Sequence, residues 1–182
     1  MNEVGLIRAQ LSLERQHALE VGRALAAANS SAGGGKGTPP EAFRQASVDY
    51  LVWILSRFEE REQVFHDLLR TRFAADDANR RTVEIVLASP GTSREALAKL
   101  ERALATASIA SSWTDFLSFF SGPWSSRRDE LDKLFAQQAK VGDWRAVSGI
   151  DADSIFDERR RHSRVFASLP PDVTTSSGAA RA

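Results

Sequence analysis

The sequence predicts an all-α protein, an antiparallel bundle of four core helices with additional short helices. Apolar residues recur at helical spacing along most of the chain, and no stretch shows the period-two alternation of a half-buried strand. Glycine and proline are concentrated at a few points, which divide the chain into segments of helical length. We expect one domain over residues 1–169 and a disordered tail over residues 170–182.

The first two predicted helices are the longest. Helical spacing of apolar residues predicts the first from Glu3 to Ala28. The glycine-rich stretch 29–38 that follows predicts a flexible loop. The second helix runs to Arg72, and its start has a cap residue, a first-turn proline and a capping-box acid: Thr38, Pro39 and Glu41.

Shorter helices follow in the middle of the chain. One is expected from Asp76 or Asp77 to Leu87, before a Ser-Pro-Gly stop. Thr92 and Glu95 then form a capping box that predicts the start of another helix. The apolar stripe of that helix changes direction near residue 111, which predicts a kink or break there.

The last third of the chain is expected to contain two more helices. Residues 121–123, Ser-Gly-Pro, predict a break before the first of them, which ends near Lys140. Gly142 and Gly149 bracket a predicted connection that carries a tryptophan. The final helix ends at the two prolines that follow Leu169.

Composition excludes several kinds of protein. Lys and Arg total 24 and Asp and Glu total 24, so no net field attracts nucleic acid or an anionic membrane, and no coherent basic stripe is present. Cysteine is absent, which excludes disulfides and thiolate metal sites and favours a reducing compartment, the cytoplasm. We expect no signal peptide and no membrane span, because no long unbroken apolar stretch occurs.

The three histidines each lie beside a glutamate on a different predicted helix. Spacings of three and four residues place both members of a pair on one side of a helix, so each pair can act as a chelating unit. The pairs are Glu14 with His17, Glu62 with His66, and Glu158 with His162.

Helical phase directs Glu14, Glu62 and His162 toward the apolar stripes of their helices, and Glu158 lies just beside His162. A carboxylate in a core is unstable unless it is paired, hydrogen-bonded or bound to a cation. A shared interior of carboxylates and imidazoles suits iron or manganese, so the six residues form a candidate metal site. The alternative is that the acids pair with nearby arginines, namely Arg15, Arg57, Arg61, Arg127 or Arg159.

Over residues 6–140 the chain resembles the hemerythrin-like (HHE) domains, in which histidines and carboxylates of four antiparallel helices hold two iron ions. The resemblance rests on the helix pattern, on His17 in the first helix and on the acid–histidine pair of the second. The family's His-x3-Glu is reversed here as Glu62-x3-His66, and the third helix has no His-x3-His. The resemblance implies a metal-binding bundle, and these departures favour a single metal ion or an empty site over a two-metal set.

A second hypothesis is a non-enzymatic module that binds a protein partner or dimerises, without metal. Five aromatic residues flank the Ser-Gly-Pro sequence and form either core packing or a partner surface: Trp113, Phe116, Phe119, Phe120 and Trp124. Phe119 is directed away from Phe116 and Phe120. No nucleophile–base pair or Gly-x-Ser-x-Gly motif is present, so we expect binding or sensing rather than catalysis.

Overall fold

The computed structural model describes residues 2–32, 40–73, 77–106 and 110–169. These residues are helical apart from short connections, which confirms the predicted all-α bundle. The helices are α1 (Glu3–Ala32), α2 (Glu41–Phe73), α3 (Asp77–Ala88), α4 (Ser93–Ala105), α5 (Ala110–Phe119), α6 (Ser125–Gln138), α7 (Val141–Ser148) and α8 (Ala152–Ala167).

Most helix ends lie close to their predicted positions. The Thr92 hydroxyl accepts the Glu95 amide at 3.1 Å and Glu95 accepts the Thr92 amide at 2.8 Å, so the predicted capping box of α4 is confirmed. Helix α1 extends to Ala32, past its predicted end, so the first residues of the predicted loop are helical. The rest of that loop, including the predicted α2 cap, and the tail lie outside the described residues.

The predicted break at residues 121–123 is wrong. The chain passes from α5 to α6 through a single π turn, Phe120–Trp124, which contains Pro123. Proline has no amide hydrogen, and its ring collides with a carbonyl in a regular α-helix; the wider π turn accommodates it. The Ser125 hydroxyl donates to the Phe120 carbonyl at 3.0 Å, which supplies one hydrogen bond at the turn.

The predicted connection between Gly142 and Gly149 is also wrong, since these residues belong to α7 and its end. The Lys140 amide donates to Asp143 at 2.7 Å at the start of the helix. Gly149 ends the helix with φ of 52°, a left-handed conformation that glycine adopts without strain. Trp144 of α7 is buried, so this short helix contributes one large aromatic ring to the core.

Helices α1, α2, α4 and the joined α5–α6 form the four-helix bundle. Helices α1 and α2 are antiparallel. Glu14 of α1 contacts Arg61 of α2, whereas the later residue His17 of α1 shares a Glu158 oxygen with the earlier residue Tyr50 of α2. Helix α8 packs on α1 and α2, α7 also packs on both, and α3 packs on α2 and α6. No helix in the described ranges is long and apolar enough to cross a membrane.

The aromatic cluster that was a candidate partner surface lies mainly in the core. Phe116 and Phe120 stack with centroids 5.6 Å apart, and Phe120 contacts Trp124 at 4.3 Å. Trp113 is also buried. Only Phe119 is half-buried, and its ring lies 5.1 Å from the ammonium of Lys99, a cation–π contact. Association with a partner through this cluster stays a prediction, and Phe119 is the aromatic residue of the cluster that a partner could contact.

Candidate metal centre

Three glutamates lie in the protein interior, on the helices where the sequence placed them. The exposed fractions are 0% for Glu14, 3% for Glu62 and 0% for Glu158, so helical phase gave their direction correctly. A buried carboxylate requires a compensating partner, and the nature of that partner distinguishes the three.

Glu14 is compensated by an arginine. Arg61 of α2 donates from Nη1 to Oε2 of Glu14 at 2.5 Å, and Gln10 donates to Oε1 at 3.5 Å. Arg61 is fixed in turn by its Nε, which donates to the carbonyl of Ser148 at 2.7 Å. Through Arg61, this network joins α1, α2 and the end of α7. Glu14 is thus paired with an arginine, which was the alternative to metal binding in the sequence analysis.

Glu62 is compensated by two arginines of α6. Arg127 donates from Nε to Oε1 at 2.8 Å, and Arg128 donates from Nη2 to Oε2 at 2.5 Å. The first amide of α4, that of Ser93, also donates to Oε2 at 3.1 Å. Both oxygens of this carboxylate therefore accept hydrogen bonds, and the two arginines supply the positive charge that a metal ion would otherwise bring.

The pKa of Glu62 reflects this arrangement. Burial opposes ionisation, but the neighbouring imidazole of His66 and the charges and hydrogen bonds of Arg128 and Arg127 outweigh it, so the pKa of Glu62 lies well below the usual 4.5. His66 Nε2 lies 3.6 Å from Glu62 and 3.3 Å from Arg127 Nη2. His66 thus belongs to the arginine network and lies apart from the other two histidines.

Glu158 has no guanidinium donor among the described residues. Its Oε1 accepts the Tyr50 hydroxyl at 2.7 Å and lies 2.9 Å from His17 Nδ1. Its Oε2 is buried and has no hydrogen-bond partner within the described part of the chain. Burial and the charge of Glu158 raise the pKa of Tyr50, so the phenol stays protonated and donates. Glu158 is compensated by an imidazole and a phenol.

His162 completes this cluster. Its ring stacks on that of His17, with centroids 3.8 Å apart and planes 10° from parallel. Its Nε2 is buried without a hydrogen bond to the described residues, although Glu20 Oε2 lies 3.3 Å away. Burial, followed by the neighbouring His17, lowers the pKa of His162, which favours the neutral imidazole that binds metal ions.

Four of these residues form what we name the α8 cluster: His17, Glu20, Glu158 and His162. The His162–Glu20 separation of 3.3 Å is within the spacing of adjacent ligands on one ion, about 3.0–3.4 Å for bonds of about 2.1 Å, whereas His17 and Glu158 are joined by a hydrogen bond of 2.9 Å. In the described ranges no three His, Asp or Glu side chains already stand where they could hold a metal together. The parallel rings of His17 and His162 would have to turn to face one ion.

Sequence reasoning identified three of the four residues of the α8 cluster and missed Glu20, together with Tyr50, which contacts the cluster. His17, Glu158 and His162 were candidates and do meet, whereas Glu14, Glu62 and His66 lie in arginine networks. The missed residues are Tyr50 and Glu20. Their signals were present, since Tyr50 is the only tyrosine of the chain and Glu20 follows His17 by three residues.

No protein-family model, no curated protein and no solved structure matches the chain.

Proposed function

We propose that the chain is a metal-binding helical bundle of the hemerythrin-like type that holds one iron or manganese ion at the α8 cluster. His17, Glu158 and His162 are the proposed ligands, and Glu20 is the fourth. Two imidazoles with one carboxylate are a donor set suited to iron, Glu20 would add a second carboxylate, and manganese accepts the same oxygen and nitrogen donors. The role we propose is binding or sensing rather than turnover.

The observation that carries this proposal is the state of Glu158. It is fully buried, yet its Oε2 meets no donor among the described residues, and no arginine there neutralises it. A cation adjacent to Oε2 would compensate the charge as the arginines do for Glu14 and Glu62. The Nε2 of His162, which lies 3.3 Å from Glu20 and forms no hydrogen bond with the described residues, belongs to the same cluster, and a metal ion would satisfy both atoms.

A single ion fits the residues better than a pair of ions. The carboxylates of Glu14 and Glu62 are held by Arg61, Arg127 and Arg128, so they are committed to ion pairs. One ion at the α8 cluster would supply a positive charge and positions for a small ligand. Tyr50 would orient Glu158 through the hydrogen bond to Oε1, as partners of metal ligands commonly do.

The proposal is tested by metal content after reconstitution with Fe²⁺ or Mn²⁺ under reducing conditions, on protein without an affinity tag. His17→Ala and His162→Ala should each lower the bound metal, because each removes one ligand. His66→Ala is the matched control, since His66 lies in the arginine network. Equal metal content in all four proteins, or none in the wild type, would overturn the proposed site.

The alternative function is association with a protein partner without metal. It is supported by Phe119, whose large ring is only partly covered by the core. Phe119→Ser should lower the apparent mass in sizing experiments without lowering the melting temperature. A lower melting temperature at unchanged mass would instead assign Phe119 to the core.

A further inference from the structure

Two neighbouring aromatic residues of α2, Tyr50 and Trp53, connect the α8 cluster with the protein surface. Their ring centroids are 6.2 Å apart. Tyr50 is 1% exposed, and its hydroxyl donates to Oε1 of the buried Glu158 at 2.7 Å. Trp53 is only partly buried. The pair therefore links a buried carboxylate of the proposed metal site to solvent.

Both residues of this pair are unusual in the chain. Tyr50 is its one tyrosine. Trp53 is the one tryptophan with an appreciable exposed surface, because the other three are at most 3% exposed: Trp113, Trp124 and Trp144. Phenol and indole are, after the thiol, the side-chain groups most readily oxidised by one electron, and the chain has no cysteine. An oxidant that cannot enter the core would therefore take an electron from Trp53 first.

Two guanidinium groups lie over the Trp53 ring. The centroid of that ring is 4.7 Å from Cζ of Arg161 and 5.1 Å from Cζ of Arg57. A cation is attracted by the electron-rich face of a neutral indole, but it repels an indole that has lost an electron. The two arginines therefore destabilise oxidised Trp53, which favours transfer of an electron to it from a neighbour.

Tyr50 is the neighbour suited to supply that electron. A phenol that loses an electron must also lose its proton, and the Glu158 carboxylate already accepts that proton in the 2.7 Å hydrogen bond. The ring of His162, whose centroid lies 5.9 Å from that of Tyr50, resists one-electron oxidation. Tyr50 thus has a proton acceptor on one side and an oxidisable ring on the other.

We propose that Tyr50 and Trp53 relay single electrons from the α8 cluster to the surface, so that a strongly oxidising radical in solution oxidises the bound ion without entering the core. This role of the pair rests on the proposed function, since the electron donor is Fe²⁺ or Mn²⁺ held by the cluster. The site would then respond to one-electron oxidants as a class.

The relay consists of three electron transfers. The radical takes one electron from the Trp53 indole and leaves in its reduced form. The oxidised indole takes one electron from Tyr50, whose hydroxyl proton passes to Oε1 of Glu158. The neutral Tyr50 radical then takes one electron from the ion and its proton back from Glu158. In sum the ion loses one electron and the surface oxidant gains it, and the three side chains are unchanged.

The first test uses the metal-free full chain and a photogenerated ruthenium(III) complex as the surface oxidant, followed by transient absorption and electron paramagnetic resonance. In the wild type an indole radical should decay as a tyrosyl radical grows, and the tyrosyl signal can belong only to Tyr50. Tyr50→Phe should lose the tyrosyl signal and prolong the indole signal. Trp53→Phe should lose most of the tyrosyl signal although Tyr50 is present. No tyrosyl signal in the wild type, or an equal one in Trp53→Phe, would overturn the relay.

Trp113→Phe is the matched control and should keep the tyrosyl signal of the wild type. Trp113 is buried and its Nε1 has no partner among the described residues, so the substitution removes one tryptophan without removing a hydrogen bond to them. Glu158→Gln should slow the growth of the tyrosyl signal, because an amide is a weaker base than a carboxylate. Growth at the rate of the wild type would overturn proton transfer to Glu158. Helical content is checked for each variant by circular dichroism.

The second test repeats the measurement after anaerobic addition of Mn²⁺ or Fe²⁺, with metal content determined on the same samples. In protein that holds the ion, the tyrosyl radical should decay faster than in metal-free protein, and the resonance of Mn²⁺ should decrease. An unchanged decay in protein with bound metal would overturn electron transfer from the ion. Absence of bound metal would overturn the proposed function, and the tyrosyl signal of the metal-free protein distinguishes that outcome from failure of the relay.

Discussion

His17 Nδ1 lies 2.9 Å from Oε1 of Glu158, although the two residues are 141 positions apart in the chain. The contact joins α1 to α8 and gives a fully buried carboxylate an imidazole partner. The other two buried glutamates have guanidinium partners instead. This difference between imidazole and guanidinium separates the candidate site from the structural ion pairs.

Tyr50→Phe should weaken metal binding without unfolding the protein. The substitution removes the hydroxyl that donates to Glu158 at 2.7 Å and leaves the ring in place. Loss of a partner of a metal ligand lowers affinity by about tenfold or more. Competition against a fluorescent chelator measures the change. Ser47→Ala is the control, since it removes a buried hydroxyl that donates to Phe43; equal affinities in the two variants would exclude a role for Tyr50.

Arg61→Met should destabilise the protein by about 3–5 kcal/mol, because it leaves Glu14 buried without its charged partner. Urea denaturation followed by circular dichroism measures the free energy of unfolding. The double substitution Glu14→Leu with Arg61→Met should regain most of the loss, since it removes the unpaired charge as well. A double variant as unstable as the single one would show that packing of Arg61 matters more than its charge.

Glu62→Gln should lower stability at neutral pH and flatten the acid dependence. The folded pKa of Glu62 lies below 4.5, the usual value for a glutamate, so the contribution of Glu62 to stability is fully present above pH 4.5 and is lost as the pH falls toward the folded pKa. The free energies of unfolding of wild type and variant should therefore differ more at pH 7 than near about pH 3. A constant difference across this range would contradict the assigned pKa shift.

Gly91→Ala should destabilise the protein by about 1–3 kcal/mol. Gly91 has φ of 102°, and a Cβ there would lie 2.4 Å from the carbonyl oxygen of Pro123, so the α3–α4 turn is pressed against the π turn. Gly122→Ala is the control, because a Cβ at Gly122 meets nothing within 4 Å. Thermal unfolding of both variants checks the prediction, and equal melting temperatures would contradict the close approach.

Much of the local structure could be predicted from sequence. Helical periodicity and the Thr92–Glu95 capping box depend on neighbouring residues, and phase alone directed Glu14, Glu62 and Glu158 inward. The turn at Pro123 could not be predicted in the same way, because a proline signals the end of an α-helix whether or not the chain continues through a π turn.

The partners of the buried acids could not be predicted, because they depend on contacts between distant segments. Arg127 reaches Glu62 across 65 positions and Tyr50 reaches Glu158 across 108. Several arginines lie near each acid on the helical stripes, so spacing within one helix does not select among them. The packing of α6 and α8 against α2 makes that selection.

The most direct test of the central claim is the number of Mn²⁺ or Fe²⁺ ions bound per chain in equilibrium dialysis by the wild type, Glu158→Gln and Glu62→Gln. All three proteins are first checked for helical content. We predict that the wild type and Glu62→Gln each bind a single ion and that Glu158→Gln binds none, because only Glu158 among the buried glutamates lacks a described arginine partner. Equal binding by all three proteins, or no binding by the wild type, would contradict the account.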